Sequence, residues 1–539
     1  MMRFNRTSRT IFKTVSWSSH GIQQSQDRIF QRYCYHHFRQ YVSTATEYRS
    51  PLESRFPPVA ITFILCFPCD SNQQASIASF LQKSLEKTIR QNPPLAGRLL
   101  WEPEDGRLNR LKLITSNNEI LDNVRFVAND LTQKPDVWSL SYPQLAEQGA
   151  PYAPLMRPEI LSPPGGYQRL SMVPICAQAN FIPGGCLLYI SMNHSFMDDI
   201  GSTAVLESWA RNCRELQEEA IENEDFEFQE KVKDAFGGLS PSASMSARST
   251  RMATNGVPTL MMNQPEILQK NAATDDAEIK RILDNVCLWH TLGFKSPAER
   301  ESSEEWRLPP AEGLVPAIFS APAHAIARLK ADSTLDIGFT SSFDAMAALI
   351  WRCVMRARYK DLEPSEVAST SHLRLAFDAR EALGVRPDYS GNMLLFSTPK
   401  ILLKYLVDGT VDGRHLAYKV RHALSTTKTR AHDAVKLSFM LPDPSRRVPD
   451  FENTTTTDIM LTSWRRMPLY KMDWGPAFGK PGNPEFVRSD QIGHLPGTCA
   501  ILQSRSEDEV EVLVNLYPAQ IERLKEDEEW AEYFKLKAI

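Results

Sequence analysis

His194 and Asp198 stand four residues apart in the run Asn193-His194-Ser195-Phe196-Met197-Asp198-Asp199, and this is the feature of the chain that most suggests chemistry. An imidazole is the side chain best matched to taking a proton near neutral pH, and an aspartate four residues on can fix the loop that holds the ring. Read alone, the pair fits a structural histidine beside a surface aspartate equally well, because with 11 histidines in the chain such a spacing arises readily by chance. Other chemistries are set aside by their missing motifs: there is no G-x-S-x-G, no G-x-G-x-x-G after a strand, no H-E-x-x-H and no EF-hand loop. The run Gly475-Pro476-Ala477-Phe478-Gly479-Lys480-Pro481 comes nearest to a phosphate loop. It has one residue too few between its glycines, and Pro481 stands where a magnesium-binding Ser or Thr is needed, so it reads as a structured loop.

The elements that must position His194 are legible around it. Two apolar runs, Met172 to Phe181 and Gly185 to Asn193, flank Pro183-Gly184-Gly185 and predict paired strands joined by a tight turn. After Gly201, the positions Val205, Trp209, Cys213 and Leu216 share a helical face that runs into the acidic stretch Glu215 to Glu224. His194 therefore falls on a strand-to-helix connection. Upstream, folded sequence is expected to begin near Ser50-Pro51-Leu52-Glu53. A strand over Val59 to Phe67 follows, then a helix with Ile77, Leu81, Leu85 and Ile89 on one face, stopped by Asn92-Pro93-Pro94. Downstream, Ser341-Ser342-Phe343-Asp344 has capping-box spacing ahead of the stripe Met346, Leu349, Ile350, Cys353 and Val354. Strands are expected at Leu373 to Phe377, Asn392 to Thr398, Ala500 to Gln503 and Val510 to Leu516, with a charged helix ending the chain.

The frame around these elements is that of an ordinary folded protein. At 539 residues, with 42% hydrophobic and 23% charged, the chain has material for several domains. Its net charge of -4 offers no polybasic field for nucleic acid or anionic lipid. Its longest apolar runs fall well short of the ~18 residues of a transmembrane helix. The nine cysteines are scattered, without zinc spacing, and read as reduced thiols. No metal site is expected. The first 26 residues carry Arg3, Arg6, Arg9 and Lys13 and no acid, the composition of a mitochondrial transit peptide, with a disordered basic extension as the alternative. The expected location is cytoplasmic, or mitochondrial if that extension is a targeting signal. The division expected is a basic extension over 1–47, a first domain over 48–236, a crossover linker over 237–310 where Ser, Ala, Met, Gly and Pro prevail, and a second domain over 311–539.

His194-x-x-x-Asp198 resembles the HxxxD motif of the BAHD acyltransferases, especially their fungal trichothecene 3-O-acetyltransferase-like branch. Further segments match in the family's order: Ser50-Pro51-Leu52, Pro94-Leu95-Ala96-Gly97-Arg98, the helix Ser342 to Arg352, Asp378-Ala379-Arg380 with Tyr389-Ser390-Gly391-Asn392, and Ser463-Trp464 with Asp473-Trp474-Gly475 running on to Gly479-Lys480-Pro481. They span about residues 48 to 535. Two departures stand out. Asp199 replaces the glycine that usually follows the motif, and Trp474 replaces the first Phe of DFGWG, with residues inserted before Gly479.

The resemblance implies an α/β fold of two chloramphenicol-acetyltransferase-like domains, with mixed sheets and an active-site channel at their interface. It implies a monomer that takes acyl-CoA, acetyl-CoA above all, as co-substrate with no permanently bound cofactor, and a small-molecule alcohol as acceptor. His194 would be the general base, with no covalent acyl-enzyme. Asp198 would turn from the channel toward an arginine, for which Arg380 is the candidate. Asp473, Trp474 and Gly475 would support the site structurally, while Ser463, Gly391 and Asn392 would lie near the pantetheine arm. Lys480 and Arg488 are candidates for the CoA 3′-phosphate, and Trp351 and Trp464 read as core aromatics. The alternatives are an N-acyltransferase or condensation-type enzyme of the same superfamily, and a non-catalytic ligand-binding relative.

Overall fold

Strands in the first half form where β-branched and aromatic residues cluster between turn residues: β1 (Ala45–Tyr48), β2 (Ala60–Pro68), β3 (Arg98–Glu104), β4 (Leu108–Thr115), β5 (Phe126–Asp130), β6 (Ile175–Ile182) and β7 (Gly185–Asn193). The second half supplies β8 (Val315–Pro322), β9 (Thr370–Asp378), β10 (Leu394–Ser397), β11 (Lys400–Leu402), β12 (Ile459–Ser463), β13 (Phe486–Arg488), β14 (Thr498–Gln503), β15 (Glu509–Leu516) and β16 (Lys535–Ala538). The computed structural model describes residues 45–55, 59–104, 108–115, 126–161, 173–235, 261–269, 275–299, 312–335, 338–359, 368–441, 449–489 and 497–539. Most of the expected extension 1–47 and the Ser- and Met-rich stretch 236–260 lie outside them.

Among the described residues the strands build three sheets. A small antiparallel sheet has the order β1-β4-β3. A five-stranded mixed sheet has the order β13-β2-β7-β6-β5, with β5 parallel to β6 and the other neighbours antiparallel. An eight-stranded mixed sheet runs β10-β9-β12-β14-β15-β8-β16, with β11 also on β9. In it β12 lies parallel to both β9 and β14. The fold is thus α/β with mixed sheets, as the resemblance implied. No helix among the described residues is long and apolar enough to cross a membrane.

The helix over Gln74–Gln91 buries Ile77, Leu81, Leu85 and Ile89, the face expected from its four-residue spacing. It packs on the helix Asp199–Ala235, where the Trp209 indole donates to Ser84 Oγ at 2.9 Å. In the second half, Ser341 and Asp344 close the expected capping box on the helix Ser342–Arg358. Asp344 also accepts from Arg421, tying that cap to the helix Gly413–Met440. Trp351 is fully buried, with its indole N–H on Ser371 Oγ at 2.9 Å, a core residue as expected. Trp464 is also buried and packs on Phe63 with ring centroids 5.1 Å apart.

Several expectations need correction. The chain does not end in a charged helix: after the helices Pro518–Glu526 and Glu528–Tyr533 it closes with β16, whose Leu536 pairs beside Phe319 on β8. Pairing at an open sheet edge outweighs the lysine-rich composition of that tail. Among the described residues strand structure is already present at Ala45, ahead of Ser50, because β1 finds β4 as a partner. The described part of the crossover stretch carries two capped helices, Asp276–Leu283 and Val286–Leu292, that pack on Gly413–Met440.

Candidate active site

β7 ends at Asn193, and His194 follows directly, its main-chain N–H donating to Val59 O at 2.8 Å. The Asn193 side chain turns the chain by accepting from Ser195 N at 2.9 Å and Phe196 N at 3.2 Å. The loop closes onto the helix Asp199–Ala235, with Asp198 just before its first turn accepting from Ile200 N at 3.2 Å and Gly201 N at 3.3 Å. The aspartate therefore shapes the loop from the helix end.

From the other half of the chain, Arg380 reaches the same carboxylate. Its Nη2 donates to Asp198 at 2.8 Å and to Gly391 O at 2.8 Å, its Nε to Tyr389 O at 2.9 Å, and its Nη1 to Asp378 at 2.8 Å. Met393 N donates to the second Asp198 oxygen at 2.9 Å. Burial works to raise the Asp198 pKa, and Arg380 and the Met393 N–H work against it. Arg380 and three main-chain N–H groups all donate to this carboxylate, an arrangement that suits its ionised form.

His194 is gripped from the same loop. Asn392 Nδ2 donates to His194 O at 2.5 Å and lies 3.3 Å from the ring Nδ1, while Asn392 Oδ1 accepts from Leu394 N at 3.0 Å. Burial, aided by the charge of Arg55, lowers the imidazole pKa from 6.5 to about 4, so the ring is neutral at pH 7. Main-chain carbonyls of His194 and Met197 pull the other way by accepting from the ring.

A cleft of about 520 Å³ opens beside the motif. Asp199, Thr203 and Glu207 line it from the helix, Met261 from the crossover stretch, Ser390 from the Tyr389–Asn392 loop, and Arg466 from the segment after β12. Asp199 thus puts a carboxyl into the wall where a glycine was the expectation. Its pKa is raised to about 7, first by burial and then by the neighbouring Asp198.

The loop holding Asp473, Trp474 and Gly475 is pinned from within. Asp473 Oδ1 accepts from Gly475 N and Gly482 N, each at 3.0 Å. Gln217 donates to Trp474 O at 2.7 Å and accepts from Ala477 N at 2.8 Å. Gly475 has φ +103°, and a Cβ there would meet the Gln217 side chain at 2.6 Å, so a glycine is required on both counts. Trp474 is fully buried, edge-on to Trp209 at 5.2 Å. Trp209 stands ten residues, roughly 15 Å of helix, beyond Asp199.

The other expected ligand contacts fall out unevenly. Ser463 closes β12 and is half-buried, its Oγ meeting Arg465 N at 3.5 Å. Gly391 does not leave room for a ligand on its side-chain face: a Cβ there would lie 2.3 Å from Glu53 Oε1 and 2.4 Å from the Tyr389 hydroxyl. Arg488 is not placed to meet a CoA phosphate. It is fully buried on β13, donating to Ala150 O at 2.9 Å and Gly149 O at 2.6 Å and facing Glu511 at 3.4 Å. Lys480 is exposed. Cys353, Asp527 and Glu529 form the only metal-like grouping among the described residues, and Arg356 already bonds both of its carboxylates. Cys66 and Cys69 are free thiols pushed up to about 12 by burial. Sequence reasoning missed Glu53 and Met393 at this site; the first directly follows a matched segment, and the second acts through its main chain, which no side-chain pattern reveals.

The profile described as the trichothecene 3-O-acetyltransferase-like N-terminal domain matches residues 59–213, and that described as the Transferase family matches 311–531. Among curated proteins, the chain is similar to the eremophilane O-acetyltransferase ORF8 of Penicillium roqueforti (strain FM164), 25% identical over 493 residues that cover 90% of this chain and 97% of that one. It is similar also to the trichothecene 3-O-acetyltransferase TRI101 of Fusarium sporotrichioides, 25% identical over 500 residues covering 90% and 94%. Among solved structures, TRI101 of F. graminearum complexed with coenzyme A and deoxynivalenol superposes with a TM-score of 0.68 at 21% identity, over 92% of this chain and 100% of that one. Vinorine synthase follows with 0.55 at 17% identity, over 89% and 96%. The two halves of the chain are thus similar, in order, to the trichothecene 3-O-acetyltransferase-like N-terminal domain and to the Transferase family.

Proposed function

We propose that this protein is an acyl-CoA-dependent O-acetyltransferase that acetylates a hydroxyl of a small secondary metabolite, with His194 as general base. The observation that carries the reading is the division of labour within the motif. Asp198 is consumed by Arg380 and three main-chain N–H groups, whereas His194 keeps a neutral ring that is only partly buried.

The chemistry needs little more than such a ring. With the ring proton on Nδ1, the Nε2 lone pair is left for the acceptor hydroxyl. As the alcohol oxygen attacks the thioester carbonyl carbon, its proton passes to Nε2. The tetrahedral intermediate then expels the thiolate by breaking the C–S bond, and the imidazolium returns the proton to sulfur, giving the ester and free CoA. A ring that binds protons weakly stays unprotonated before attack and surrenders its proton readily afterwards. No cysteine is needed as an acyl carrier, and the thiols with resolved shifts are all held up by burial, which makes them poor nucleophiles. Asp198 holds the loop and carries no proton, and Asp473, Trp474 and Gly475 brace the helix behind it.

For the co-substrate, Ser463 remains the hydroxyl that borders the pantetheine arm. Asn392 serves the His194 carbonyl instead, and Gly391 seats Glu53 and Tyr389. Arg466 in the cleft wall and the exposed Lys480 replace Arg488 as phosphate ligands.

The test is thiol release from acetyl-CoA with terpenoid, polyketide and alkaloid alcohols, eremophilane and trichothecene alcohols among them, on wild type and His194→Ala. Release that needs an alcohol and vanishes in the variant is the expected result. Equal release by both proteins would remove His194 from the chemistry and bring forward a binding-protein reading.

A further inference from the structure

The segment Ser50 to Glu53 takes no part in the proton transfer, yet its surroundings are among the most unusual in the molecule. Arg49 and Glu53 form an ion pair with both side chains at 0% exposure. The Tyr389 hydroxyl joins them, donating to Glu53 Oε1 at 2.8 Å and accepting from Arg49 Nη2 at 3.2 Å. Burial pushes this phenol well above its ordinary pKa, which keeps it a donor. Glu53 Oε2 accepts from Ser50 N at 3.0 Å and Ser50 Oγ at 2.8 Å. Arg49 Nη1 donates to Glu47 at 2.9 Å and to Met262 O at 3.4 Å. A buried ion pair of this kind contributes little stability that packed apolar side chains would not supply, so its value lies in what it holds.

It holds both flanks of His194. On one side the Arg49 guanidinium lies over the Phe196 ring, 5.5 Å from its centroid, two residues past the histidine. On the other, Glu53 and the Tyr389 hydroxyl fill the space over Gly391. The next residue is Asn392, which grips the His194 carbonyl. The same loop is tied to the crossover stretch, with Ser390 N on Met261 O at 2.9 Å and Met261 N on Ser390 Oγ at 3.2 Å.

We propose that Arg49, Glu53 and Tyr389 are positioning residues for His194: a buried three-way clamp that fixes Phe196 on one side and Gly391–Asn392 on the other, and so holds the imidazole in place. The proposal rests on the reading of His194 as base only for its consequence in turnover; the clamp itself is tested without substrate.

Two variants loosen the clamp while leaving every group that would touch substrate. Tyr389→Phe removes one hydroxyl and leaves the Arg49–Glu53 pair, and Phe196→Leu removes the ring beneath the guanidinium. The readout is the titration of the His194 ring by NMR in the full chain labelled at histidine, with His194→Ala assigning the resonance. The charge that acts on the ring is that of Arg55, and neither variant alters it or the Asp198–Arg380 pair in the same loop. Wild type is expected to titrate near pH 4. In both variants the loosened ring is more fully hydrated, and the midpoint rises past about 5 toward the ordinary histidine value. Turnover on any alcohol of the panel that wild type accepts falls roughly ten-fold at unchanged KM for acetyl-CoA, the signature of a displaced group rather than a lost binding contact.

Midpoints that stay at the wild-type value in folded variants would overturn the proposal. So would a wild-type midpoint near 6.5, since no held ring would then exist to release. His194→Ala that still releases thiol defeats the base assignment but leaves the titration comparison standing, so the two failures are distinguishable.

Discussion

Replacing Asp198 by alanine separates a holding role from a proton-carrying one. The substitution strips an acceptor from Arg380, Met393 N, Ile200 N and Gly201 N at once. Breaking a buried ion pair from one side costs about 3–5 kcal/mol, and Arg380 keeps Asp378 and two main-chain carbonyls, so the lower end applies. Loss of the helix N-cap adds about 1 kcal/mol, for a total of about 4 kcal/mol. Asp198→Asn keeps the shape but turns an amide N–H₂ toward a donor, at about 2 kcal/mol. Urea unfolding followed by tryptophan fluorescence measures both. Adding Arg380→Met to Asp198→Ala removes the stranded guanidinium and recovers about 2 kcal/mol, which a double-mutant cycle reads as coupling. Thiol release at saturating substrate completes the experiment, with Asp198→Asn weakened yet measurable and His194→Ala silent. Destabilisation below about 1 kcal/mol would mean that the pair behaves like an exposed one. An Asp198→Asn protein that is folded but as silent as His194→Ala would place the aspartate in the proton path and refute the reasoning.

Three further outcomes follow from the same geometry. Folding lowers the His194 pKa from 6.5 to about 4, so the unfolded chain binds the extra proton between those values. Stability from this group is complete above about pH 6.5 and is lost progressively, by up to about 3 kcal/mol, as pH falls to about 4; His194→Gln flattens that slope in unfolding curves taken across the range. Asp199 has the opposite sign, its folded pKa raised to about 7 by burial, so its ionisation destabilises increasingly as pH rises. Asp199→Asn therefore melts higher than wild type at pH 8, and the gap narrows toward pH 4. Trp474→Phe leaves a small void but removes an indole N–H that has no hydrogen-bond partner among the described residues. The two effects offset, with a net change below about 1.5 kcal/mol in chemical unfolding and no change in kcat.

What the sequence disclosed was local. The capping box at Ser341 and Asp344, the hairpin turn at Gly184 and the four-residue stripe from Ile77 to Ile89 depend on neighbours a few positions away, and each is present as expected. The pairing of Asp198 with Arg380 spans 182 positions and was reached through resemblance, not spacing. What stayed hidden was set by distant partners. Arg488 looks like any exposed cation until carbonyls from Gly149 and Ala150 close on it, and Gly391 looks like a ligand-facing glycine until Glu53, some 340 residues earlier, fills its space. The final strand was missed because its lysines carry no strand signal of their own and only an open edge on β8 recruits them.

The short strand β13 has a consequence for how such a protein can be divided. Its Phe486, Val487 and Arg488 come from the second half of the chain but complete the edge of the first half's sheet, pairing with Cys66, Leu65 and Ile64. Val487 N also donates to Tyr470 OH, and Glu485 N to Cys66 O, so the visitor is anchored on both sides. A first-half fragment made alone would carry β2 with a bare hydrophobic rim, prone to aggregate, and would become soluble only when the second half is supplied alongside it. Chimeras that join the front of one relative to the back of another inherit the same debt, a foreign strand in a native sheet. Heredity in this architecture thus passes through the whole chain, and its two halves are not interchangeable parts.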